Sequence, residues 1–191
     1  MAHESLRIIR EEHASLRVML RSLAALVERA PDAPAADYFT ALRAVFFCID
    51  EFYEAQHHPK ESELLFPKIA AASQQGAAAV LRLDQDHATG AAAARELQHL
   101  LLAWEMVGSS RRATFEAACG AYIERLLEHI ALEERLILPQ SERCLSAADW
   151  QQLDRAFTHG GGARESNYLA DPDYARLLAQ ILQAANKPPS A

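Results

Sequence analysis

An all-α fold is predicted: an antiparallel up-down-up-down four-helix bundle with two shorter helices after it. Three observations predict it. Four long stretches repeat apolar residues at three and four positions, the breakers between them are short, and no run alternates as a strand does. Leu6, Ile9, Leu16, Leu20, Leu23 and Val27 set the first helix, from about Ser5 to Arg29, ended by Pro31 and Pro34. Phe39, Leu42, Phe46, Ile49, Tyr53 and Leu64 set the second, from about Ala36 to Ile69, with Pro59 expected to kink it. An Ala/Leu segment from about Gln74 to Met106 is the third and another from about Ala113 to Leu138 the fourth, parted by Gly108-Ser109-Ser110. Beyond Pro139, Ser146-Ala-Ala-Asp149 resembles a capping box that opens a helix to Phe157, closed by the Gly160-Gly161-Gly162 run. Asp171-Pro172 then reads as an N-cap and first helical residue, starting a last helix to about Ala185. Residues 1–140 are the expected bundle and 141–191 a helical extension packed on it.

Composition bounds the function. The chain has 191 residues, 50% of them apolar and 24% charged, which suits one globular domain with a substantial core. A net charge of -7 argues against nucleic acid and anionic membranes as partners, since both select basic patches. No apolar run approaches the roughly 20 residues of a bilayer span, so no membrane helix is expected. The N-terminal MAHESLRIIREEH lacks the apolar block of a secretory signal, which predicts a cytoplasmic protein. Cys48, Cys119 and Cys144 are too few and too scattered for a disulfide framework or a Cys-x-x-Cys metal site, and read as small core residues. A nucleophilic triad and a phosphate loop are both absent.

An internal repeat places the chemistry. His57, Glu61 and Pro67 recur as His129, Glu133 and Pro139, each displaced by 72 residues, and Leu64-Leu65 recurs as Leu136-Ile137. Upstream, Glu12-His13 precedes His57 by 44 residues and Asp86-His87 precedes His129 by 42. Each half therefore reads acid-His, then His-x-x-x-Glu, as a duplicated helical hairpin would. Positions i and i+4 share a helix face, so His57 points with Glu61 and His129 with Glu133. Phe115, Tyr122, Leu126 and Leu136 surround His129; Leu6, Ile9, Leu16, Leu20 and Ala24 surround His13; Val80, Leu83, Ala91 and Ala94 surround His87; Phe46, Tyr53 and Leu64 surround His57. Four imidazoles and two carboxylates on apolar faces cost several kcal/mol per unpaired group when buried, and a metal pair would compensate. Two carboxylates can bridge two metals while four imidazoles supply two nitrogens to each. Nitrogen and oxygen donors without thiolate favour iron, ahead of manganese or zinc. The ferritin-like alternative needs Glu-x-x-His on two helices, and the order here is His-x-x-x-Glu.

The segments EEHASL at His13, HHPKESELLFP at His57 and Glu61, LDQDHATG at His87 and YIERLLEHIALEERLILP at His129 and Glu133 resemble bacterial hemerythrin-like proteins with the HHE cation-binding domain. The likeness spans about residues 3 to 140, and LSAADWQQLDRAF and DPDYARLLAQI also resemble C-terminal parts of such proteins. It implies a non-haem di-iron centre held by His13, His57, Glu61, His87, His129 and Glu133. The expected ligand is dioxygen, nitric oxide or peroxide, in redox or oxygen sensing or a stress response, on a monomer or homodimer. The family's dedicated oxygen carriers have a second histidine four residues after the helix-three ligand and an aspartate five after the helix-four one. Here those positions are Ala91 and Glu134, which argues for redox, sensing or nitric-oxide-related chemistry over reversible oxygen carriage. The alternative is a metal-dependent regulatory or interaction module without turnover, and whether the chain is an enzyme stays open. His58, about 100° round the helix from His57, is expected at the periphery. His3, His99 and His159 are expected at the surface. Tyr53 and Tyr122 are read as core residues, Asp50 as a candidate acceptor for a ligand imidazole, and Glu12 and Asp86 as flanking their helices.

Overall fold

The computed structural model describes residues 3–31, 34–159 and 168–187, and these are helical throughout apart from short turns. We number six helical units. α1 is Glu4–Glu28 and α3 is Gln74–Val107. α2 runs over 36–72 as one rod of α-helical and wider, π-helical pieces, and α4 likewise over 112–144. α5 is Ala147–His159 and α6 is Pro172–Ala185. The Gly160–Gly162 run, the His159 side chain and residues 188–191 lie outside the described residues.

Caps mark the ends as the sequence implies. Ser146 and Asp149 exchange hydrogen bonds of 3.0 to 3.2 Å in a capping box at the start of α5. Asp171 accepts the Asp173 N–H at 2.7 Å ahead of α6. Gly108, at φ 101°, stops α3 in a conformation that other residues rarely adopt. The α1 N-terminus is capped from afar: Asp154 of α5 accepts the Ser5 N–H at 2.8 Å, while His3 stacks on Trp150 at 3.8 Å and so is tucked in as well as surface-placed.

α2 runs on through Pro59, and one expectation about proline is corrected: Pro139 does not end α4, which continues to Cys144. The residue before each proline closes a wide turn: His58 N–H reaches the Tyr53 carbonyl, Phe66 N–H the Glu61 carbonyl and Leu138 N–H the Glu133 carbonyl, each five residues back. A proline ring in a regular helix meets the carbonyl four residues before it, and one extra residue in the turn relieves that clash.

Two apolar clusters fill the interior, separated by a layer of buried polar side chains. One holds Leu16, Leu20, Phe46, Phe52, Leu97, Trp104, Phe115 and Leu126. The other holds Leu6, Ile9, Phe66, Ile69, Leu83, Ile137, Trp150 and Phe157. α1 and α3 enter the polar layer from the second cluster, whereas α2 and α4 enter it from the first. α5 packs on α1, and α6 lies across α1 and α2, adding Tyr174, Ile181 and Ala185 to the first cluster. Cys48 and Cys119 are core residues as expected, but Cys144 and Ala24 are exposed.

Candidate metal centre

Each long unit brings donors to the polar layer at the same height, α1 with His13, α2 with His57, His58 and Glu61, α3 with His87, and α4 with His129 and Glu133. His13, His57, Glu61, His129 and Glu133 are at most 1% exposed. The donor atoms form two overlapping groups, His13, His57, Glu61 and Glu133 in one, Glu61, Glu133, His87 and His129 in the other, each within 4.8 Å. All six residues predicted from the repeat therefore meet.

His58 meets them too, contrary to expectation. It is 4% exposed, its ring stacks on His87 at 3.8 Å, and it forms a third group with His87 and His129. The angle of about 100° that set it aside belongs to a regular α-helix. Residues 49–57 are π-helical, and more residues per turn mean a smaller angle between neighbours, so His57 and His58 both reach the interior.

Every one of the five imidazoles is held from outside through Nδ1. His13 donates to Glu134 at 3.3 Å, and Arg17 grips that carboxylate at 2.7 and 2.6 Å. His57 donates to the fully buried Glu12 at 2.6 Å, His129 to Asp86 at 3.4 Å and His58 to Glu54 at 2.9 Å. His87 donates to the Ser62 hydroxyl oxygen at 2.7 Å, and that hydroxyl donates to Asp84 at 2.9 Å. Nδ1–H bonded outward leaves each Nε2 lone pair directed inward, the tautomer a metal requires. The expected acceptor Asp50 is not the partner of His57; Glu12 is, reaching across from α1. Glu12 and Asp86 do stay off the donor groups, but they orient imidazoles on the next helix.

Inside, the donor atoms face one another with nothing to bind them. His57 Nε2 lies 3.2 Å from Glu61, His129 Nε2 3.2 Å from Glu133 and His13 Nε2 3.1 Å from Glu133. His87 and His129 turn Nε2 on Nε2 at 3.1 Å. Among the described residues, His13, His57 and His58 Nε2 and all four carboxylate oxygens of Glu61 and Glu133 are buried without a hydrogen-bond partner. Burial, reinforced by Glu133, pushes the Glu61 carboxyl up. Burial also opposes the Glu133 charge, but His129 and His13 outweigh it and hold that carboxyl well below the usual range. Burial together with neighbouring imidazoles pushes His58 and His87 down, His87 to about 2, so both keep a free lone pair. Burial lowers His13, His57 and His129 as well, but neighbouring carboxylates outweigh it and push all three up, His57 to about 10, so a metal ion there would take the place of protons. The nitrogen and oxygen donors of this cage fit metal ions bound through those atoms.

A family model described as the hemerythrin HHE cation binding domain matches residues 4–141. The chain belongs to the hemerythrin HHE cation-binding family. Cation binding is the property that family name carries, and the clustered His and Glu side chains supply the donors for it. Among curated proteins and among solved structures, none matches the chain significantly. No described helix of this hemerythrin-family chain is long and apolar enough to cross a membrane.

Around the donors stand groups that the repeat did not single out. The Tyr53 ring stacks on His57 at 4.6 Å, and its buried hydroxyl has no hydrogen-bond partner among the described residues. Glu54 is 7% exposed, and burial pushes its carboxyl up to about 7 although His129 and Tyr122 oppose the rise. Lys60 lies 3.8 Å from Glu12 and over the Phe157 ring.

Proposed function

We propose that this chain is a non-haem di-iron protein of antiparallel up-down-up-down architecture. His13 and His57 would hold one ion and His58, His87 and His129 the other, with Glu61 and Glu133 in reach of both. The alternating order in which the four long units pass from one apolar cluster to the other supports that architecture. A single observation supports the metal reading most: buried Nε2 and carboxylate oxygen atoms converge without partners, while every Nδ1 is tied outward. Leaving that many polar groups unpaired costs several kcal/mol each, and cations remove the cost.

Iron held by such donors would supply redox chemistry towards small oxygen or nitrogen ligands, of which dioxygen, nitric oxide and peroxide are the candidates. The residues of this chain do the rest. The outward carboxylates and Ser62 fix the five rings, the two apolar clusters exclude bulk water from both ends of the polar layer, and the Tyr53 hydroxyl stands ready to donate a hydrogen bond within it. Elemental mass spectrometry on protein from iron-supplemented cells tests the reading. Two irons per chain are expected, followed by optical changes on adding dioxygen, nitric oxide or peroxide. A folded chain without metal overturns it.

A further inference from the structure

The Glu54 carboxylate is fixed at three points, and none of them is an ordinary packing contact. Its Oε2 accepts from His58 Nδ1 at 2.9 Å, and its Oε1 accepts from the Tyr122 hydroxyl at 3.4 Å. Its third side lies against Gly90 of α3, where a Cβ would stand 2.6 Å from both carboxylate oxygens. Gly90 follows His87 by less than one turn in a segment otherwise rich in alanine, so a side chain is missing just where the glutamate needs the room. The other four imidazoles are oriented from neighbouring helices. His58 alone takes its acceptor from its own helix, four residues back.

From this geometry we infer that Glu54 is the positioning residue of the second ion: seated in the Gly90 cradle and held by Tyr122, it turns His58 so that Nε2 joins His87 and His129. The inference rests on the di-iron reading above. It assigns this role to the Glu54 carboxylate and the Gly90 gap together, so removing either should have the same effect on metal and spare the first ion. Gly90→Ala displaces the carboxylate without deleting a donor, and the carboxylate, at the end of a flexible side chain, can swing aside without unfolding α3. Glu54→Gln keeps an oxygen able to accept the Nδ1–H.

The test uses the full chain and iron(II), with chelator competition reading each ion's affinity and the optical spectrum reading the loaded centre. Wild type is expected to hold two ions. Glu54→Ala and Gly90→Ala are expected to bind the second ion about 10- to 100-fold more weakly, with an altered spectrum and the first ion unaffected, and Glu54→Gln to restore most of the loss. Nitrogen NMR of labelled histidine in the metal-free chain gives a readout that does not depend on loading. His58 is expected as the Nδ1–H tautomer in wild type and as a mixture in Glu54→Ala and Gly90→Ala. If His58→Ala loses the second ion while Glu54→Ala and Gly90→Ala keep it with unchanged spectra, the inference is overturned. If His58→Ala also keeps both ions at full affinity, the place given to His58 in the proposed function fails instead.

Discussion

The two halves of the chain share the register His-x-x-x-Glu and a proline six residues on, but two of the positions at which they differ carry a chemical contrast. Residues 54 and 58 are Glu and His in the first half, whereas their counterparts 72 residues later are Leu126 and Ile130. All four are buried, at 7%, 4%, 3% and 0% exposure. The second half shows that this architecture is content with an aliphatic pair there. A buried Glu–His pair brings desolvation that well-packed leucine and isoleucine do not, so packing does not explain its presence in the first half. The difference teaches that the duplicated hairpins are structurally equivalent and chemically unequal, with the extra imidazole placed on the side of His87 and His129.

The largest effect is expected where the halves agree. His57→Ala combined with His129→Ala removes the corresponding donor from each and should abolish loading of both ions; unchanged metal content by elemental mass spectrometry would show that the shared register does not bind metal. Next comes the variant that makes the first half a copy of the second. Glu54→Leu with His58→Ile should raise the stability of the metal-free chain by about 1–4 kcal/mol in denaturant unfolding while weakening the second ion. A less stable variant would mean that the polar pair is a packing element after all.

A smaller effect tests the wide turns. In a regular helix interior, replacing proline by alanine gains about 3 kcal/mol. Because a π-helical turn already accommodates each ring, Pro67→Ala and Pro139→Ala should each gain clearly less, and by similar amounts in the two halves. A full gain at either site would break the equivalence. The smallest effect concerns Lys68, whose counterpart is Gln140. Lys68 bonds Asp149 of α5 at 2.8 Å, and with Ser146 it holds that carboxyl down at about 2, from an ordinary 3.8. A lowered carboxyl stabilises the fold above its unfolded value, and that contribution fades as pH falls through its folded value. Melting temperature should therefore carry a small extra loss between about pH 4 and pH 2, and Lys68→Gln should flatten it.

Most of the fold was legible because apolar spacing and helix caps are local signals. The bounds of α1 and α3, the Ser146 box and the Asp171 cap all follow from residues within a few positions of one another. The six repeated donors were legible because duplication displays them twice. His58 was not, since its inward direction depends on a π-helical turn that leaves no mark in apolar periodicity. Nor were the acceptors, for Glu12, Asp86, Ser62 and Glu134 each serve an imidazole on another helix, and one sequence contains no sign of that pairing. A partial sign existed in the repeated acid-His doublets at Glu12-His13 and Asp86-His87, where the acid proves to serve the other histidine of its own half.

The helix laid across α1 and α2 has a consequence in time. Tyr168 and Tyr174 pack against Phe52 at 5.9 and 5.0 Å, and Ile181 is fully buried, yet all three lie beyond the family match that ends at residue 141. A ribosome adding about 5 to 20 residues per second releases Glu133, the last donor, some seconds before Ile181. Through that interval the donors exist on a chain whose α1–α2 face is still open to water. During synthesis, then, a cation can arrive before the wall is finished.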